Sequence, residues 1–417
     1  MKPTSNNVFL ILICGLSLLA PSTASASGNL AALQSDLRHQ LTLAGPHDGA
    51  YVYDLTTKQA LVSERASTMR PPASVEKLYT ATAALEQLGP EARLETAVFG
   101  VGHLAPGGVW EGNLYLRGGG DPTFGSSAFI RTHYGPIGTS VSTLVSQLVH
   151  VQGIHHLIGT IYGDESYLDP LRGEPDSGYA FDPFLEGTLS ALAFDRGSSG
   201  HERGSHAPAA YSARKLRQAL TAAGVSVRGG SAAASTPAGA VQLASAPSPT
   251  ISQLLGLMLP PSDNFFAETL MKDLGARLGG AGTTVAGAAV VAKTIVAVLG
   301  IHPRVIDGSG LSPADRTSPY QVVDLLTELA ATPVGTVLRE HMAIAGRTGT
   351  LERRMRHTSA AGRCEGKTGT LTGASNLVGY CQSLSGHLLA FAFFNDGIAT
   401  TAAHTFQDHM TISLANY

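Results

Sequence analysis

Residues 70–90 read Arg70-Pro71-Pro72-Ala73-Ser74-Val75-Glu76-Lys77-Leu78, then Tyr79 to Leu88, then Gly89-Pro90. Nothing between Val75 and Leu88 interrupts a helix, and Gly89-Pro90 is a proper stop. The pattern predicts a helix over 75–88 with Ser74 at its head. Lys77 falls on the same face as Ser74, one turn on. Leu78, Ala81, Ala84 and Leu85 suit the middle of a domain. A serine hydroxyl is a poor nucleophile at neutral pH and needs a base beside it. A lysine becomes that base when burial, a nearby cation or a helix N-terminus disfavours its charge. The stretch therefore predicts a nucleophile, Ser74, with its base, Lys77.

Two further elements complete a set: Ser262-Asp263-Asn264 and Lys367-Thr368-Gly369-Thr370. Ser262 can relay a proton towards a leaving amine. Asn264 can donate to a substrate amide carbonyl and help to hold Lys77. Lys367 supplies a second cation near Lys77 and, with Thr368, binds a terminal carboxylate. Gly369 lets a substrate backbone approach the strand edge. The backbone N–H groups of Ser74 and Thr370 would form an oxyanion hole, usually the largest electrostatic term in acyl transfer.

The first and third elements each have a competitor in the chain. Ser212-Ala213-Arg214-Lys215 repeats the first spacing. It leads into a basic amphipathic helix, so Ser212 reads as an N-cap. Arg347-Thr348-Gly349-Thr350 resembles the third element. Lys367 is preferred because an alternating strand, Ala374–Cys381, follows and can pair with it as a hairpin. His201-Glu202-Arg203-Gly204-Ser205-His206 has the wrong spacing for a zinc helix, and Gly204 weakens any helix there, so it reads as a polar loop. No metal and no cofactor are expected.

The rest of the chain organises around these elements. Residues 29–45 read as a helix carrying Leu30, Leu33, Leu37 and Leu41, and 50–55 with 60–63 as paired strands. Between about 95 and 243, short alternating runs such as Gly112–Leu116 and Leu157–Tyr162 sit between glycine-rich turns. This predicts a mostly β inserted region. Gly197–Ala209 reads as loop, and Ala234–Pro249 as a linker. Helical patterns run from Ile251 to about 340, then strands at 376–381 and 387–394, then a helix at 400–413. Ser74 and Ser262 must meet in space. The expected layout is therefore a catalytic domain in two pieces, 27–94 and 244–417, interrupted by an insert at 95–243.

Composition fits an exported protein. Of 417 residues, 28 are Lys or Arg and 31 are Asp or Glu, for a formal net charge of −3. That balance argues against nucleic acid as a partner. Hydrophobic content of 43% can build a core and excludes a charged, disordered chain. Lys2, the apolar run Val8–Ala20 and Ala24-Ser25-Ala26 have the three-part layout of a secretory signal, residues 1–26. Val285–Leu299 is apolar but carries Lys293, and reads as a core helix. No membrane anchor is expected after cleavage.

Taken together, the chain resembles the penicillin-binding, type-4-like D-alanyl-D-alanine carboxypeptidase/endopeptidase family. The resemblance extends to Arg70–Leu78, Leu114–Thr123 (Leu-Tyr-Leu-Arg-Gly-Gly-Gly-Asp-Pro-Thr), Gly163–Tyr167 (Gly-Asp-Glu-Ser-Tyr), Asp307–Ser312 (Asp-Gly-Ser-Gly-Leu-Ser) and Gly366–Gly373. It implies an α/β (α+β) penicilloyl-serine-transferase domain, of the β-lactamase/transpeptidase type, carrying an insert. It also implies an acyl-enzyme mechanism on peptidoglycan stem peptides and covalent capture of β-lactam antibiotics. The setting would be periplasmic, or extracellular and cell-wall-associated. Beside fuller members, Gly197–Ala209 looks abbreviated. The competing functions are a serine β-lactamase and a non-catalytic peptidoglycan binder. Glu165-Ser166-Tyr167-Leu168-Asp169 echoes a β-lactamase deacylation loop, but it precedes Ser262 where that loop should follow. Glu165 therefore reads as structural. A pure binder has no need of Ser74 and both lysines.

Cys14 lies in the signal, which leaves Cys364 and Cys381. With Thr372-Gly373 as the hairpin turn, the two face each other across the strands. At a non-hydrogen-bonded site the Cα separation is about 4.5 Å, within disulfide range. A disulfide and two buried free thiols are both compatible with this register.

Overall fold

The computed structural model describes Met1 and residues 23–197 and 206–417. Lys2, Val8–Ala20, Cys14, His201 and Glu202 lie outside the described residues. The chain opens with helix α1 (Thr23–Ala44) and the hairpin β1 (Gly49–Asp54) and β2 (Gln59–Glu64). A 3-10 turn, Ala73–Glu76, runs into α2 (Lys77–Leu88). The middle of the chain comprises β3 (Arg93–Ala105), β4 (Val109–Arg117), α3 (Ser127–His133), α4 (Val141–Ser146), β5 (His156–Ile158), β6 (Ile161–Asp164), α5 (Pro208–Ala222), β7 (Ser226–Arg228), β8 (Ser231–Ala233) and β9 (Val241–Thr250). Five helices follow: α6 (Ile251–Met258), α7 (Asn264–Leu278), α8 (Thr284–Leu299), α9 (Pro319–Leu329) and α10 (Pro333–Glu340). The chain closes with β10 (Ala343–Ile344), β11 (Cys364–Leu371), β12 (Ala374–Gln382), β13 (Leu388–Asp396) and α11 (Thr400–Asn416).

Two sheets result. The first has six strands in the order β10-β11-β12-β13-β1-β2, every pair antiparallel. Its strands alternate because successive side chains point to opposite faces. On β12 and β13, Leu377, Cys381, Phe391 and Phe393 join Leu33, Leu37 and Leu41 of α1 and Met410 and Leu414 of α11 in one core. Val378, Tyr380, Ala390 and Phe394 face the other way, onto Leu78, Phe266, Leu325 and Leu326. The sheet is thus buried on both faces between helical layers. Val285–Leu299 lies within α8, and Val291 and Ile295 join that second core. Among the described residues no helix is long and apolar enough to cross a membrane.

The second sheet has seven strands. Its path is β7-β5-β4-β3-β9, with β6 joined to β4 and β8 to β6. Leu114, Leu116, Leu157 and Ile161 pack there on Leu144, Tyr211, Leu216 and Leu220. Two expectations need correction. The run Leu157–Tyr162 is not one strand: it breaks at Gly159, whose φ is +157°, and β5 and β6 pair with successive parts of β4. Nor is Ala234–Pro249 a linker, because Val241–Thr250 is a strand paired with β3. Pro247 and Pro249 hid it, yet β9 ends the strand order, and a sheet edge is where proline is tolerated.

Candidate active site

Ser74 sits in a turn held from two sides. Ala73, just before it, has φ +50°, a left-handed conformation that costs a non-glycine residue about 1 kcal/mol. From β12, Asn376 Nδ2 donates to the carbonyls of Pro71 (2.9 Å) and Pro72 (2.8 Å). Opposite, Gly310 (φ +78°) lies so close that a Cβ there would stand 1.9 Å from the Ala73 carbonyl oxygen. The turn is therefore fixed by its neighbours rather than by its own preference.

Lys77 opens α2 and is fully buried. Its Nζ lies 2.9 Å from Ser74 Oγ, 2.6 Å from Asn264 Oδ1 and 2.7 Å from the Ser309 carbonyl oxygen. The carbonyl and the amide oxygen can only accept. A neutral lysine has two N–H donors and one lone pair. In the neutral form the two acceptors can take both donors, which leaves the lone pair for the Ser74 hydroxyl. Burial lowers the Lys77 pKa to about 8, against the opposing pull of Asp307, Glu268, Asp263 and Glu76. The expected cation–cation effect falls on the partner instead. Lys367 is pushed well below its ordinary value by burial and by Lys77.

Lys367 Nζ lies 2.7 Å from Ser262 Oγ and 2.7 Å from the Thr368 carbonyl oxygen. Ser262 has φ +67°, and Asp263 beside it caps α7 by accepting from the Phe266 N–H at 3.1 Å. Asn264 spends one amide hydrogen on the Phe184 carbonyl oxygen at 2.8 Å and keeps a second. β11 passes close to the serine, and a Cβ on Gly369 would lie 2.4 Å from the Pro72 oxygen and 3.2 Å from the Ser74 nitrogen. β10 pairs β11 only at Glu365 and Gly366, so Lys367–Leu371 form an edge open to an extended peptide. The structure thus brings Ser74, Lys77, Ser262, Asn264, Lys367 and Gly369 together. Thr368 Oγ1 donates to Thr350 Oγ1 at 2.8 Å, and Thr370 follows on the same edge.

Several residues at this site escaped the sequence reading. Thr350 belongs to the rejected Arg347–Thr350 copy, yet its hydroxyl reaches Thr368. Ser309 belongs to the Asp307–Ser312 stretch, which had no role until its carbonyl met Lys77. Below that loop lie the carboxyls of Glu76, Glu268, Asp307 and Asp315. Glu268 accepts from the Gly308 and Ser309 N–H groups at 2.9 and 2.7 Å, and Asp307 from those of Gly310 and Ser312 at 2.6 Å each. Burial raises all four, and repulsion from neighbouring carboxylates adds to it for Glu76, Glu268 and Asp315, with Glu268 brought to about 8 and Asp315 to about 12. No local pattern announces such a cluster, because its members meet only after folding.

The competitors resolve physically. Ser212 is not an N-cap: it lies inside α5, fully buried, its hydroxyl within hydrogen-bond distance of the Pro208 and Leu192 carbonyl oxygens at 2.8 and 3.1 Å. The helix starts at Pro208, where proline suits the first turn. Glu165 is held by both terminal nitrogens of Arg172, at 2.7 and 2.8 Å. Cys364 and Cys381 pair across β11 and β12 and are joined by a disulfide, Cα atoms 4.0 Å apart. A cavity of about 690 Å³ opens beside the Ser262 loop, lined among others by Phe129, Tyr134, Phe181, Arg196, Leu257 and Asp263.

A twice-covered antiparallel sheet, with a serine–lysine pair at the foot of its central helix, is the penicilloyl-serine-transferase fold, here carrying a second sheet. The chain belongs to the D-Ala-D-Ala carboxypeptidase 3 (S13) family, matching its profile over residues 29–183 and 184–417. It is a serine-type DD-peptidase, a hydrolase. A D-alanyl-D-alanine carboxypeptidase of Actinomadura sp. (strain R39) is 29% identical over 487 residues, covering 95% of this chain and 87% of that one. A carboxypeptidase of Mycobacterium tuberculosis is 29% identical over 394 residues, covering 90% and 81%. The crystal structure of penicillin binding protein 4 from Haemophilus influenzae superposes with a TM-score of 0.73 at 21% identity, covering 93% of this chain and 100% of that one.

Proposed function

We propose that Ser74 is the nucleophile of this DD-peptidase and that its substrate is the D-Ala-D-Ala end, or the cross-link, of a peptidoglycan stem peptide. The arrangement of acceptors around Lys77 carries this reading: two of its three partners hold its hydrogens, which leaves its lone pair for the serine proton. Ser74 Oγ bonds to the carbonyl carbon of the penultimate D-Ala while Lys77 takes the proton. The Ser74 and Thr370 N–H groups face the developing oxyanion. Lys367 and Thr368 hold the terminal carboxylate. As the C–N bond breaks, a proton passes through Ser262 to the leaving amine. Water then splits the acyl–serine ester, its hydroxyl going to the acyl group and its hydrogen back to Ser74.

A β-lactam ring enters the same chemistry, but its leaving nitrogen stays tethered to the acyl group. Glu165 is committed to Arg172, so no deacylating carboxylate is expected from it and the adduct should persist. Capture by this chain is also in keeping with the relative from Haemophilus influenzae solved with a β-lactam. We read residues 1–26 as a secretory signal and the protein as exported. We read the second sheet as an insert, its return best placed at Thr250, where β9 ends. Labelling with a fluorescent penicillin tests the mechanism. Wild type should carry one persistent label and Ser74→Ala none. An unlabelled wild type, or equal labelling of Ser74→Ala, sinks the assignment. Rapid loss of the label favours a β-lactamase. Digestion of monomeric and cross-linked muropeptides, with mass analysis, then reads the balance of carboxypeptidase and endopeptidase action.

A further inference from the structure

We propose that Arg196, contributed by the second sheet's region, is a positioning residue that fixes the Ser262-Asp263-Asn264 loop and thereby sets the rate of Ser74 acylation. Arg196 Nη2 donates to Asp263 Oδ2, and Nε donates to Tyr134 Oη at 2.8 Å. Nη1 lies 3.7 Å from the Glu186 carboxylate. The guanidinium sits among three rings, 5.5 Å from the centres of Tyr134 and Phe265 and 5.4 Å from that of Phe266. Arg196 and Asp263 side chains keep only 13% and 9% of their exposure.

The backbone that delivers this arginine is costly. Asp195 (φ +49°) and Arg196 (φ +59°) are consecutive left-handed residues, a conformation that side chains other than glycine rarely adopt. Their surroundings hold them there. Asp195 accepts from the Ser126 N–H at 2.7 Å and the Ser126 hydroxyl at 3.1 Å. The Asp195 N–H donates to the Phe124 carbonyl, and the Arg196 carbonyl accepts from Thr188, both at 3.0 Å. A Cβ on Gly125 would stand 2.2 Å from Asp195 Oδ1, so that approach needs glycine.

At the receiving end, Asp263 is gripped through both oxygens, one by the α7 cap and one by Arg196. Its neighbours are the two residues that touch the lysines, Ser262 on Lys367 and Asn264 on Lys77. A loop shift of one ångström spoils both contacts together, and displacements of that size cost about a hundredfold in rate.

The proposal rests on the mechanism above, and the two fail separately. Loss of labelling in wild type overturns the mechanism, whereas wild-type kinetics in the variants overturns only the role of Arg196. Acylation by fluorescent penicillin is followed at several concentrations, with occupancy of intact protein checked by mass spectrometry and folding by circular dichroism. Arg196→Gln should acylate about 10–100-fold more slowly at saturation. Its half-saturating concentration should change less, because Lys367 keeps its hold on the Thr368 carbonyl and Thr368 its hold on Thr350, neither of which belongs to the loop. Arg196→Lys should recover part of the loss. Asp263→Asn keeps a good N-cap but loses the charge, and should match Arg196→Gln, with the double variant no worse than either. If Arg196→Gln does not fold, Asp263→Asn and the milder Tyr134→Phe are read the same way. Folded variants that acylate at the wild-type rate, or a rise in half-saturating concentration alone, overturn the proposal.

Discussion

The protonation of Lys77 gives the sharpest handle on the mechanism. Its Nζ is fully buried, and burial brings its pKa to about 8. Only the neutral amine has a lone pair for the Ser74 proton, so the acylation rate follows the neutral fraction. A pKa that is lowered makes this fraction grow with pH and level off above the folded value. From ~pH 6 to ~pH 9 the neutral fraction rises about 90-fold, and from ~pH 8 to ~pH 9.5 about twofold. A lysine with its ordinary pKa would instead gain about 30-fold over that upper interval. The measurement is stopped-flow labelling with a fluorescent penicillin, whose carboxylate stays ionised throughout. The rate at saturation isolates Lys77, and the half-saturating concentration reports the charge on Lys367. A saturating rate that still climbs tenfold per pH unit near ~pH 9, or one flat across the whole range, removes Lys77 from the role of base.

Three further outcomes are expected. Replacing Cys364 and Cys381 by alanine opens a link between residues 17 apart in sequence and should lower the unfolding free energy by about 3 kcal/mol in denaturant titration. Peptide mapping without reductant should find neither thiol alkylated in the wild type. Gly369→Ala places a Cβ 2.4 Å from the Pro72 oxygen, so acylation should fall at least ~10-fold by the same labelling assay. Glu165→Gln should leave the lifetime of the penicillin adduct unchanged while costing about 1–3 kcal/mol in thermal stability, because it breaks the paired contact with Arg172.

Much of this was legible along the chain, for reasons that can be named. Ser74 and Lys77 head an apolar helix where a polar pair has no packing reason to be. The strands read at 376–381 and 387–394 announced themselves by alternation, carried Lys367 with them, and lie within a residue or two of β12 and β13. The failures have physical causes too. Proline masked the edge strand at Val241–Thr250. Thr350 was dismissed for sitting in a near-copy of a motif, although its hydroxyl lies 2.8 Å from that of Thr368. Glu268, Asp307 and Asp315 come from separate elements, and no spacing connects them. Arg196 is the extreme case: a lone arginine in a loop, whose significance depends on a carboxylate 67 positions away in sequence.

The pairing of β3 with β9 has an architectural consequence. Arg93, where the chain leaves the helical layer, is the cross-strand partner of Thr250, where it comes back. Thr250 then starts α6 with a reciprocal cap to Gln253. A segment whose two ends are neighbours can be lengthened, trimmed or exchanged without rerouting its host, and a short turn would close the gap. Yet the Phe184 carbonyl and the Arg196 guanidinium come from inside that segment and hold Asn264 and Asp263. An engineer grafting a new module between residues 93 and 250 would have to keep the stretch around 184–196. The outer strands β5, β7 and β8 touch none of the serine's machinery and are the free ground for redesign.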